Sequence, residues 1–112
     1  MPPEVLKLLY DMKQAAERIE RFASGKTLDD YRTDDLLRSA VERQFEIIGE
    51  AMTRLVKLDV KVAERISEYR RIAGFRNVLI HGYDSIDDAI SWNIIGTKLP
   101  ILRTELAALL PP

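Results

Sequence analysis

Thr33-Asp34-Asp35-Leu36-Leu37-Arg38-Ser39-Ala40-Val41-Glu42-Arg43-Gln44-Phe45-Glu46-Ile47-Ile48-Gly49-Glu50-Ala51-Met52-Thr53-Arg54-Leu55 is the longest periodic run in the chain. Its apolar residues Leu37, Ala40, Val41, Phe45, Ile48, Ala51, Met52 and Leu55 recur at three-and-four spacing, which lines one face of a helix and predicts about six turns. Thr33 is the expected N-cap. A helix of this length with a single apolar face has to bury that face against other helices.

Upstream, Val5, Leu8, Leu9, Met12, Ala15, Ala16, Ile19 and Phe22 form a second such face. Pro3 fits its first turn and Gly25 its C-terminal end. Thr27, with Asp30 three residues on, reads as a capping box opening a short turn. Downstream, Val62, Ile66, Tyr69, Ile72, Ala73, Leu79 and Ile80 predict one further helix, continuous through Gly74 and closed near Gly82. Ser85 with Asp88 reads as the capping box of the next, whose face is Ile86, Ile90 and Ile94 and whose end is Gly96. Thr97 then caps a last helix that has Pro100 in its first turn and Leu102, Leu106 and Leu109 on its buried side. Nothing reads as a strand, a repeat or a linker. The expectation is an all-α chain, one domain over residues 1–112, folded as a four- or five-helix bundle.

With 112 residues the chain can bury a core without staples, and it has no cysteine for a disulfide, a thiolate metal site or a thiol nucleophile. Seventeen Lys and Arg against eighteen Asp and Glu give a net charge of -1, which excludes a global basic field for coating nucleic acid and leaves only local patches. No apolar run approaches the roughly 20 residues of a membrane span, and the N-terminus lacks the basic and apolar regions of a secretion signal. A cytoplasmic protein with no membrane association is expected.

His81 is the only histidine, and imidazole is the side chain that exchanges protons most readily near neutral pH. A lone histidine at a helix end is also a common surface or capping group. Its neighbours sharpen the reading: Arg76-Asn77-Val78-Leu79-Ile80-His81-Gly82-Tyr83 sets a guanidinium five residues before it and a phenol two after. On a regular helix Arg76 and His81 are about 140° apart around the axis. Gly82 relieves this by letting the helix turn after His81, and a two-fold partner would place two copies of each residue in one groove.

Arg76, four residues, His81, one residue, Tyr83 resembles the RX4HXY signature of HepT toxins, a branch of the HEPN superfamily. Glu46-Ile47-Ile48-Gly49-Glu50-Ala51 and Arg71-Ile72-Ala73-Gly74-Phe75-Arg76-Asn77 are similar to that family's other signature stretches, in the same order. Tyr69 departs from the tryptophan of many relatives. The resemblance implies a homodimeric HEPN-type bundle with the motif at the dimer cleft, and a metal-independent endoribonuclease of a type II toxin-antitoxin system. In that reading Arg76 and His81 are catalytic, with Asn77 and Tyr83 in support. A nucleotidyltransferase antitoxin of the MNT type would be the partner, attaching AMP to Tyr83. No cofactor and no metal are expected.

The residue types suit that chemistry. RNA brings its own nucleophile, the 2′-hydroxyl, so a proton-transfer group and a fixed cation suffice. Imidazole supplies the first; guanidinium, planar and always charged, supplies the second. Asn77 reads equally well as a surface amide. Arg65, Arg70 and Arg71 can form a basic rim for RNA, or a solvated face paired with Glu64 and Glu68. Asp84, Asp87 and Asp88 read as helix-start residues and not as metal ligands. Phe22, Phe45 and Trp92 read as core. The alternative function is a non-catalytic HEPN-like scaffold subunit that pairs with a nucleotidyltransferase. A nucleotide binder ranks behind it, since no Gly-rich phosphate loop is present.

Overall fold

A computed structural model of the chain describes the backbone of residues 1–81 and 87–112, and the side chains of residues 1–75 and 87–112. All regular structure among the described residues is helical: α1 Pro3–Ala23, α2 Leu28–Thr33, α3 Asp35–Leu58, α4 Val60–Ala63, α5 Tyr69–His81, α6 Asp88–Thr97 and α7 Leu99–Leu109. The five expected helices correspond to α1, α3, α5, α6 and α7, with α2 and α4 as short additions. No described helix is long and apolar enough to cross a membrane.

α3 is the central element, packing on α1 along one side and on α5 along the other, while α7 closes against α1 and α6 rests on α2 and α7. The predicted faces of α1 and α3 are the buried ones, whereas that of α6 is not, since Ile90 is 60% exposed and the buried residue of that helix is Ser91. Leu9, Met12, Ala15, Ala16 and Ile19 of α1 meet Val41, Met52 and Leu55 of α3, all inaccessible to solvent, and Leu106 of α7 joins them. An ion pair between Arg103 and Glu20, 2.7 Å, ties α7 to α1 at the edge of this core. Gly25 follows α1 in the left-handed region, φ 73°, which L side chains adopt only with strain. The Thr27–Asp30 capping box is formed in full.

Four boundaries differ from the sequence reading. α3 is capped by Asp34, whose carboxylate accepts from the N–H groups of Leu36 and Leu37 at 3.1 Å. Thr33 instead ends α2, donating its hydroxyl to the Asp29 carbonyl. At α6 the cap is Asp87, which accepts from Ala89 N–H at 2.8 Å, and Asp88 is already helical. Ser85 and Ile86 lie outside the described residues. Thr97 bonds back to the Asn93 carbonyl from the last turn of α6. Lys98 keeps helical φ and ψ between α6 and α7, so α7 starts without a side-chain cap.

The fourth difference is the largest. The single helix expected from Val62 to Gly82 is two, because Glu68 takes φ 58° and interrupts it. Tight i→i+3 bonds from Arg65 N–H to Val62 and from Ile66 N–H to Ala63 bring the chain round, and Ile66 is driven into the core. The break contains neither Gly nor Pro, and the apolar spacing from Val62 through Ile66 to Tyr69 continues across it. Periodicity therefore could not show it.

Candidate functional site

α5 is the helix that carries the motif. The backbones of Arg76 and Asn77 lie in its C-terminal half, and His81 is its last residue. At 1.5 Å per residue, Arg76 and His81 are separated by about 7.5 Å along the axis. Gly82, where the sequence reading required the chain to be free to turn, lies outside the described residues. The side chains of Arg76, Asn77 and His81, and Gly82, Tyr83 and Asp84 entirely, lie outside the described residues.

The start of α5 is anchored from α7. The backbone N–H and the hydroxyl of Ser67 both donate to the Glu105 carboxylate, at 3.0 and 2.8 Å. Next to it the Glu68 carboxylate holds Lys98 at 3.0 Å and Arg71 at 3.2 Å. Those cations, Lys98 first and Arg71 after it, keep the Glu68 carboxyl below the usual carboxylate range. Each contact is exposed and individually weak, but together they hold the residue with positive φ from which α5 begins. Glu105 and Lys98 carry no mark in the sequence, since Glu105 is 38 residues from its partner.

One side of α5 rests on α3. Phe75 meets Phe45 edge-on with ring centroids 5.3 Å apart, a favourable aromatic geometry. The signature stretches 46–51 on α3 and 71–77 on α5 are therefore on packed neighbouring helices. Beside this contact is a groove of about 500 Å³ whose walls, among the described residues, include Ile72 and Phe75 of α5, Ile90 and Ile94 of α6, and Leu99 and Leu102 of α7.

The three arginines proposed as an RNA rim are not on one helix. Arg65 is on the turn after α4, exposed. Arg70 lies over the Tyr69 ring, 5.5 Å from its centroid, and donates to its hydroxyl at 3.1 Å. Arg71 is paired with Glu68, as the bland reading had it, whereas Glu64 forms no ion pair among the described residues. Phe45 is buried as expected, Phe22 and Trp92 are half-buried, and Trp92 packs on Tyr31 of α2 at 5.3 Å. No group of three or more His, Asp or Glu among the described residues has the geometry of a metal site.

Tyr31 forms a second polar centre at the meeting of α2, α3 and α6. It is fully buried, and its hydroxyl has no hydrogen-bond partner among the described residues. Burial, then the charges of Glu42 and Asp88, push its pKa up. The buried Ser91 hydroxyl is near enough to ease that shift without reaching hydrogen-bonding geometry. Glu42 is raised as well, first by burial.

An all-helical chain with Arg76 and His81 on one helix is matched over residues 12–109 by the family described as Ribonuclease HepT-like, and the chain belongs to that family. It is 30% identical to a Methanocaldococcus jannaschii protein named "Putative RNase MJ1380", over 92% of this chain and 94% of that one. It is 32% identical to the "Probable ribonuclease HepT" of Thermococcus cleftensis, over 90% and 91%. With "Putative RNase TTE0752" of Caldanaerobacter subterraneus it shares 31% identity, over 96% and 92%. No solved structure matches the chain at a significant level.

Proposed function

We propose that this chain is a metal-independent endoribonuclease, the toxin of a type II toxin-antitoxin pair, acting in the cytoplasm as a homodimer with Arg76 and His81 at the dimer cleft. The observation that carries the reading is family membership across residues 12–109, together with an intact Arg76/His81 pair on α5. A scaffold subunit has no evident need of that pair.

In this reading His81 takes the proton of a ribose 2′-hydroxyl, whose oxygen bonds to the adjacent phosphorus. The bond to the 5′-oxygen breaks, and that oxygen takes up a proton, from the second copy's imidazole or from water. Arg76 steadies the charge that builds on the phosphoryl oxygens. Asn77 orients the sugar or the guanidinium, and Arg65 and Arg70, with Arg71 where RNA phosphate displaces its exposed pairing to Glu68, contact the RNA backbone outside the cleft. Tyr83 is the group to which a nucleotidyltransferase antitoxin attaches AMP. A phosphate there would compete for Arg76 and repel the RNA backbone.

Purified protein is incubated with RNA in the presence of EDTA. Cleavage with 2′,3′-cyclic phosphate ends is expected, with DNA left intact, and Arg76→Ala or His81→Ala should each reduce cutting at least 100-fold while circular dichroism stays helical. Loss of activity in EDTA overturns the metal-independent mechanism, and cutting by either variant at the parent rate removes that residue from the site.

A further inference from the structure

The successive cations between Arg54 and Arg71 are Lys57, Lys61, Arg65 and Arg70, and none of them forms an ion pair among the described residues, although Arg54 and Arg71 on either side each hold a carboxylate. They sit where the chain turns from α3 into α5. Lys57 is in the last turn of α3, Lys61 is in α4, Arg65 is on the turn after it and Arg70 is the second residue of α5, all exposed. Val62, Ala63 and Ile66 are buried in the core, which fixes the side of α4 that faces out as the side of Lys61 and Arg65. Three carboxylates share the stretch. Asp59 accepts from the Val62 N–H at 3.3 Å and Glu68 holds Lys98 and Arg71, so Glu64 alone among them has no such partner in the described residues.

Helix stability accounts for only part of this placement. The dipole of α3 favours Lys57 in its last turn, but Arg70 stands in the first turn of α5, which has no acidic residue and where a cation is disfavoured. Neighbouring cations without partners repel one another, and a bound polyanion relieves that repulsion. Arg70 is also fixed in place, 5.5 Å over the Tyr69 ring. Cations beside an aromatic ring are the combination with which proteins hold single-stranded nucleic acid. Leu58 and Val60, exposed between the lysines, add apolar surface on which a ribose or a base can rest. The stretch leads directly into the motif helix: from Arg70 to His81 is about 16 Å along α5, the length of about five stacked nucleotides.

We propose that the outer face of the α3–α4–α5 turn, Lys57 and Lys61 together with Arg65 and Arg70, is a backbone-binding subsite for single-stranded RNA, remote from the motif and reached only by substrates that extend about five nucleotides beyond the scissile phosphodiester. The proposal rests on the ribonuclease reading and deepens it, since it makes the enzyme select RNA by length as well as by the bond it cuts. Lys57 and Lys61 are the residues it adds to the RNA contacts.

The test is fluorescence anisotropy with end-labelled single-stranded RNA of about twelve and about three nucleotides, lengths that do and do not span the separation. The full chain carries His81→Ala so that the probe stays uncut, and the Lys57→Gln/Lys61→Gln pair is added to it. The pair should weaken binding of the longer RNA about fivefold or more, flatten its log–log salt dependence by about one, and change binding of the shorter RNA less than about twofold. Lys13→Gln, an equal change of charge on α1, should leave both within about twofold. Helical circular dichroism should be the same throughout. If the longer RNA binds no more tightly than the shorter, or the lysine pair leaves its affinity and salt slope unchanged, this subsite is overturned, while RNA cleavage by the parent keeps the ribonuclease reading. A parent that neither cuts nor binds RNA of either length overturns both.

Discussion

Glu105 of α7 accepts both donors of Ser67, the residue just before the left-handed turn at Glu68, so the helix carrying Arg76 and His81 is fixed at its start by a side chain 38 residues away. Without Glu105, the backbone N–H and the hydroxyl of Ser67 lose a charged acceptor and turn to water. Glu105→Ala should cost about 1 kcal/mol, less than the roughly 1.5–3 kcal/mol usual for hydrogen bonds to a charged group because the site is exposed. Glu105→Gln, whose amide oxygen still accepts, should cost less than half of that. Urea denaturation of the two variants checks the order.

Asp34 and Thr33 compete in the sequence for the start of α3, and the side-chain hydrogen bonds assign the cap to Asp34. Asp34→Ala leaves Leu36 and Leu37 N–H without their acceptor and should cost about 1 kcal/mol. Thr33→Ala removes only an exposed bond to the Asp29 carbonyl and should cost no more than a few tenths, about the scale of a neutral surface bond. Thermal unfolding of the pair decides it, and equal losses would return the cap to Thr33.

Burial raises the Glu42 carboxyl above its ordinary value of 4.5, helped by Asp88 and Glu46 and opposed by Arg38. The folded chain therefore holds that proton more tightly than the unfolded one. The contribution of Glu42 to stability falls as pH rises from 4.5 through the raised value, and the penalty is complete above it. Glu42→Gln should raise Tm at pH 7, with a gain that shrinks toward zero below about pH 4.5. A gain independent of pH would show that packing, and not ionisation, is responsible.

Tyr83 lies outside the described residues, and its role is part of the proposed function. Co-expression with the cognate nucleotidyltransferase should add one or more AMP masses to the peptide containing Tyr83, and the modified chain should no longer cut RNA. Tyr83→Phe should stay unmodified and active. Mass spectrometry of the co-purified chain checks both, and an unmodified but inactive protein would mean that the antitoxin acts by masking.

The residue order by itself determined the five principal helices and the buried faces of α1 and α3, but not that of α6. An apolar residue at every third or fourth position can be satisfied in only one way on a helix, as Leu9, Met12 and Ile19 in α1 and Val41, Met52 and Leu55 in α3 demonstrate. It also singled out Arg76, His81 and Tyr83, because their spacing is a local pattern. Tertiary structure decided what depends on distant partners. The break before α5 kept the apolar period while reversing φ at Glu68, and the groups that anchor it, Glu105 and Lys98, come from α7 and its start. For the same reason Arg65 is separated from the arginines of α5, and the apolar stripe of α6 is left facing outward. Whether an apolar face is covered depends on how helices are arranged, which spacing along one helix does not encode.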